Sequence, residues 1–153
     1  MLIRKNVFVL AVVVALGLAL PGFATAQNYP SSVGQLVATT KKQVKTIDMA
    51  ALKAAIDRGE AGLIVDVREP GEYADGHLNG AINVPRGMIE FNIWTHIGYP
   101  DKTDMGKKLT LYCRTGGRCA LAAKSLQDLG LTNVTAVDMK IDDWAKAGYP
   151  LVK

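Results

Sequence analysis

The chain has 153 residues, 49% of them apolar and 21% charged, with a formal net charge of +4. That length supplies one globular domain and not two, and the composition excludes a membrane-spanning channel, a disordered tail, a collagen and a repeat array. So small a positive charge gives no reason to expect a nucleic-acid partner.

The first 26 residues read as a leader. Arg4 and Lys5 make a basic start, Val7 to Leu20 is apolar, and Ala24-Thr25-Ala26 is a small-x-small cleavage site. This layout predicts a secretory signal peptide over residues 1–26, cut after Ala26. The apolar stretch is shorter than the ~20 residues that span a bilayer; an uncleaved anchor is the alternative. No Cys follows the cut, so no lipid anchor is suggested. The expected product is periplasmic or secreted, free of the membrane, and monomeric. A domain of this size buries ~65–70% of its extended-chain surface and needs no disulfide scaffold.

Residues 27–43 read as a polar lead-in arm, with Pro30, Ser31, Ser32 and Gly34 allowing one short helical turn. Lys41, Lys42 and Lys45 read as solvated surface. Val44–Ile47 predicts a short strand, and Asp48 is suited to cap a helix from Met49 that Gly59 ends. The apolar, β-branched run Leu63–Val67 predicts a strand buried on both faces. Pro70 suits the first position of a short helix, and Gly80–Pro85 predicts a strand stopped by proline. Met88, Ile89, Ile93 and Trp94 predict a helix over 86–96, and residues 99–108 a polar loop. Leu109–Cys113 predicts a strand, Cys119–Leu129 a helix, Asn133–Val137 the last strand and Asp142–Ala147 a last helix. Strands and helices alternate and no tight hairpin joins two strands. The fold class is therefore α/β: a mainly parallel five-stranded sheet with helices on both faces.

In such sheets ligands bind at the carboxyl ends of the strands. Leu109–Tyr112 runs directly into Cys113-Arg114-Thr115-Gly116-Gly117-Arg118, which opens the next helix. A short glycine-containing loop between strand and helix turns its N–H groups inward as an anion cradle. Cys113 would face that cradle, the positive end of the helix and two guanidinium groups, each favouring thiolate over thiol. A thiolate in an anion-binding loop is a nucleophile for anionic substrates. The bland reading is a buried cysteine before a tight turn.

Three segments resemble the rhodanese domains. Asp66-Val-Arg-Glu-Pro-Gly-Glu-Tyr-Ala-Asp-Gly-His77 through Pro85 is similar to their amino-terminal signature. Cys113–Arg118 is similar to their active-site loop, and Trp144 with Gly148-Tyr-Pro150 to their carboxyl-terminal one. The resemblance runs from about Val44 to Leu151, giving a rhodanese-like domain over 44–153. One departure is Asp138-Met139-Lys140, where these domains often carry Gly-Gly. The resemblance implies a single-domain thiosulfate sulfurtransferase without cofactor. Cys113 would take a sulfane sulfur from a small anionic donor, and Arg114, Thr115, Gly116, Gly117, Arg118 and Cys119 would hold the persulfide and the substrate. Cyanide, a thiol or a protein thiol would then accept the sulfur.

The other residues carry smaller expectations. Arg114 and Arg118 would attract the donor, or form rim ion pairs. Asp66 and Arg68 would brace the loop, and Arg86 is a candidate rim contact. His77 reads as a backbone-bonding residue and His96 as surface. Two histidines and two cysteines without close ligand spacing make a metal site improbable. Cys119 reads as a small packing group, or alternatively as a resolving thiol for Cys113. Two further functions remain open. A persulfide carrier or binding module would use the same loop. Phosphatases and arsenate reductases of this fold carry five residues between Cys and Arg, where four stand here.

Overall fold

The computed structural model describes residues 29–153; the leader and its cut after Ala26 lie outside the described residues. Its elements are α1 (Ser31–Lys41), β1 (Lys45–Asp48), α2 (Met49–Asp57), β2 (Leu63–Asp66), α3 (Pro70–Asp75), β3 (Ile82–Asn83), α4 (Ile89–Asn92), β4 (Leu109–Tyr112), α5 (Gly117–Asp128), β5 (Val134–Asp138) and α6 (Ile141–Lys146). The five strands form one sheet in the order β1-β5-β4-β2-β3, and every paired neighbour is parallel.

Alternation along the strands divides the core in two. Val65, Leu109, Leu111 and Ala136 point to the face covered by α4 and α5, where Ile89, Ile93, Ala122, Ala123 and Leu126 meet them. Ile64, Tyr112 and Val137 point the other way, to Leu52 of α2 and Ile141 and Trp144 of α6. The expected two-faced α/β sheet is thus the observed one. Local signals act as their chemistry requires: the Asp48 side chain accepts from the Ala51 N–H at 2.8 Å, a cap of about 1 kcal/mol. Glu69 and Glu72 form a reciprocal capping box around Pro70.

Two segments depart from expectation. The lead-in is no loose arm: residues 31–41 form a three-turn helix, with Pro30 ahead of its first turn and Val33, Val37 and Thr40 at helical spacing. Thr40 is buried and its hydroxyl donates to Leu36 O at 2.8 Å. The single helix expected over 86–96 is broken into a 3-10 turn (Arg86–Met88), the short α4 and a second 3-10 turn (Trp94–Ile97). Burial of Ile89, Ile93 and Ile97 sustains the helical period. The Trp94 indole N–H donates to Glu90 O at 2.7 Å, occupying a carbonyl that a continuing helix would use.

Candidate active site

β4 is the central strand, and its carboxyl end delivers Cys113 to the sheet edge. Gly116 then turns the chain with φ of 83°, ahead of α5. A left-handed residue here favours glycine, and space demands it too: a Cβ on Gly116 would lie 2.6 Å from Asp138 Oδ1. The turn wraps the thiol, leaving Cys113 only 1% exposed.

Around that sulfur the donors converge. Its thiolate is favoured by hydrogen bonding from the Cys119 side chain and from the backbone N–H groups of Cys119, Thr115 and Gly116. Led by the Cys119 contact, these outweigh burial and bring the Cys113 pKa down to about 6. Cys119 moves the other way. Its thiol is pushed up by the hydrogen bond to Cys113 and by burial, and it lies 3.3 Å from both Gly116 O and Val137 O. A sulfur facing two carbonyls and a thiolate keeps its proton. Both cysteines are free, so Cys113 is the thiolate and Cys119 its thiol donor. Cys119 is fully buried, as a packing group would be, and carries a polar contact as well.

This predicts a pH signature. The thiolate ultraviolet absorbance lost in Cys113→Ser should rise through a midpoint near 6. Cys119→Ala removes a donor to the thiolate and should move that midpoint upward, whereas Cys119→Ser keeps a donor and should hold it close to wild type. An unmoved midpoint in Cys119→Ala would show that the backbone donors alone set it.

The two loop arginines carry less free charge than the sequence suggests. Arg118 grips Glu72 of α3 with two bonds, 2.6 and 2.8 Å. That bond, against opposing burial and with help from the Glu69 N–H, brings the Glu72 pKa to about 2. Arg114 lies 3.6 Å from Asp142, both largely exposed. A cleft of about 200 Å³ opens here between α3 and α6, lined by Arg114, Arg68, Glu72, Asp75 and Asp142. Cys113 does not itself line it. Arg118→Ala should raise KM for an anionic donor for two reasons: a cation is lost and Glu72 is left unpaired beside the loop. Arg118→Ala combined with Glu72→Gln should then recover part of the loss. Initial rates over a range of ionic strength check this; equal rates for wild type and both variants would make the pair a rim bridge only.

The remaining expected residues fall into place around the loop. Arg68 binds Asp66 at 2.6–3.0 Å and also donates to Gly76 O at 2.8 Å. The pair is buried, so Asp66 and Arg68 brace the neighbouring strand end. Arg86 starts the 3-10 turn after β3 and pairs with Glu90 at 3.1 Å; it is not among the cleft's lining residues. The backbone of His77 pairs with Val152, its ring stacks on Tyr73, and Nδ1 lies 3.0 Å from Tyr73 O. Sequence reasoning gave Glu72 no role and did not foresee the contact between Lys41 and Asp138. Lys41 is no merely solvated lysine: its amino group bonds Asp138 at 2.6 Å.

The central strand of a parallel α/β sheet thus ends in a buried cysteine of lowered pKa, an arrangement that suits a thiolate nucleophile. The chain belongs to the rhodanese-like domain family, which it matches over residues 48–147. It is similar to the thiosulfate:glutathione sulfurtransferase of Saccharomyces cerevisiae, 35% identical over 56% of this chain and 66% of that protein. About a third of the yeast protein thus has no counterpart in the alignment. It is also similar to a sulfurtransferase of Allochromatium vinosum, 28% identical over 71% of this chain and 95% of that one. Among solved structures, a protein of unknown function from Rhodopseudomonas palustris, described as a possible tyrosine phosphatase, superposes with a TM-score of 0.67 at 31% identity. The match covers 83% of this chain and 98% of that one. Family and relatives together support a sulfurtransferase function.

Proposed function

We propose that the protein is a thiosulfate-type sulfurtransferase working through a Cys113 persulfide. The observation that carries this reading is the Cys113 thiolate at the end of β4, faced by the N–H groups of Thr115, Gly116 and Cys119. The thiolate attacks the outer sulfur of thiosulfate. The sulfur–sulfur bond breaks, and its electron pair leaves on sulfite. The persulfide anion then sits where the N–H groups already point, so little reorganisation is needed. Cyanide or a thiolate acceptor attacks the outer sulfur next, and the electron pair of the broken bond returns to Cys113. Protonated Cys119 fits this cycle, because it stabilises negative charge on Cys113 before and after each transfer.

The phosphatase reading takes its interest from the Rhodopseudomonas palustris relative. Four residues separate Cys113 from Arg118, and so short a loop suits sulfur better than a tetrahedral phosphate. Arg118, the residue that would grip the phosphate, is held by Glu72. The carrier reading draws on the deep burial of Cys113, which suits delivery to one docked partner. Steady-state thiosulfate assays with cyanide and a panel of thiols decide between them. Ping-pong turnover with small acceptors supports the transferase; persulfide formation without turnover supports the carrier; phosphate-ester hydrolysis with no sulfur uptake overturns both. Export completes the proposal: the leader is removed after Ala26 and the domain acts as a periplasmic or secreted monomer. Amino-terminal sequencing and size-exclusion chromatography of the periplasmic fraction test that part.

A further inference from the structure

The family match begins at residue 48, yet the loop's outer wall comes from before it. Lys41, in the last turn of α1, bonds Asp138 at the end of β5 at 2.6 Å. Between these two elements lies the Gly116–Gly117 turn. A Cβ on Gly116 would meet Asp138 Oδ1 at 2.6 Å and Lys41 Nζ at 3.3 Å, and one on Gly117 would touch Val37 of α1 at 3.5 Å. Gly116 is also the pivot of the cradle. Its N–H helps to favour the Cys113 thiolate, and its carbonyl lies 3.3 Å from the Cys119 sulfur and accepts from the Ala120 N–H at 3.4 Å. Any outward slack at this turn would loosen several thiolate contacts together.

We propose that the Lys41–Asp138 pair latches α1 against the Gly116–Gly117 turn, making Lys41 and Asp138 positioning residues for the Cys113 cradle. Neither end of the latch belongs to the three family-like motifs. The pair is partly exposed, at 27% and 51% of side-chain area. Its direct worth to global stability is therefore small, ~0–1 kcal/mol; its effect should be read at the cradle. The charged and titratable groups facing Cys113 are Cys119 and Arg118 of α5, with Glu72 of α3 behind Arg118 and Lys41 reaching Cys119 from α1.

The test uses the full chain as Lys41→Met, Asp138→Asn, the double variant and Lys41→Arg. The Cys113 titration midpoint, read from thiolate absorbance against Cys113→Ser, is measured beside kcat and KM for thiosulfate. Each single variant should raise the midpoint and lower kcat about two- to fivefold, the range one exposed ion pair can command, with KM little changed. The double variant should be no worse than either single one, and Lys41→Arg should match wild type. Single variants with unchanged midpoint and kcat, or effects that add in the double variant, overturn the latch. Because the consequence for kcat rests on the sulfurtransferase reading, the midpoint decides separately. If wild type transfers no sulfur, a midpoint shift still upholds the latch and only the reaction is misassigned.

Discussion

Cys113→Ser should fold like wild type and transfer no sulfur. A buried serine matches the volume of the thiol closely, and the N–H groups at Thr115, Gly116 and Cys119 can donate to a hydroxyl oxygen as they do to sulfur. The chemistry does not survive, because a serine alkoxide is absent at neutral pH and a hydroxyl cannot form a persulfide. The expected loss is complete within assay background, with unchanged thermal stability to about 1 kcal/mol. Residual transfer at wild-type rate would place the nucleophile elsewhere; Cys119 is the other free thiol among the described residues, and Cys119→Ala would test it.

The second large effect is on stability. Arg68→Leu should destabilise the fold by roughly 3–5 kcal/mol, because it strands the carboxylate of Asp66 in the interior. Asp66 is fully buried and Arg68 is 5% exposed. The guanidinium makes the side-chain bonds that offset burial of that charge, and it lies over the Tyr112 ring at 5.7 Å. The melting temperature should fall by roughly 10 °C or more. Arg68→Leu with Asp66→Asn should recover part of that loss, since the buried charge goes with its partner. Denaturant unfolding of the three variants measures this. A single variant within about 1 kcal/mol of wild type would show that water or another cation reaches Asp66.

Much of this architecture is written in local patterns. The β-branched run at Leu63–Val67 and the apolar stripe from Ala122 to Leu126 each bury a face, and burial is what period and branching encode. The place of Cys113 is equally legible, because a cysteine between a strand and a glycine turn stands at a helix start wherever the rest of the chain goes. What escaped was carried by distant partners. Glu72 and Arg118 are 46 positions apart, and nothing local says that their charges meet. The loss matters, since it turns an apparently free cation into half of a bridge. Helix α1 escaped because Ser31, Ser32 and Gly34 favour turns, and its few apolar residues carry a weak stripe. Its stability comes from packing on α5, a tertiary term. The broken segment after β3 shows the converse: of the residues that predict one helix there, Ile89 and Ile93 are buried and Met88 is exposed, and the Trp94 bond to Glu90 O interrupts the helix.

Intact mass spectrometry of the purified protein tests the central claim most directly, measured before thiosulfate, after it, and again after cyanide. The account predicts a gain of one sulfur atom, mapped to the Cys113 peptide, removed by cyanide, and absent in Cys113→Ser. An unchanged mass after thiosulfate, or a sulfur carried on any residue other than Cys113, would contradict it.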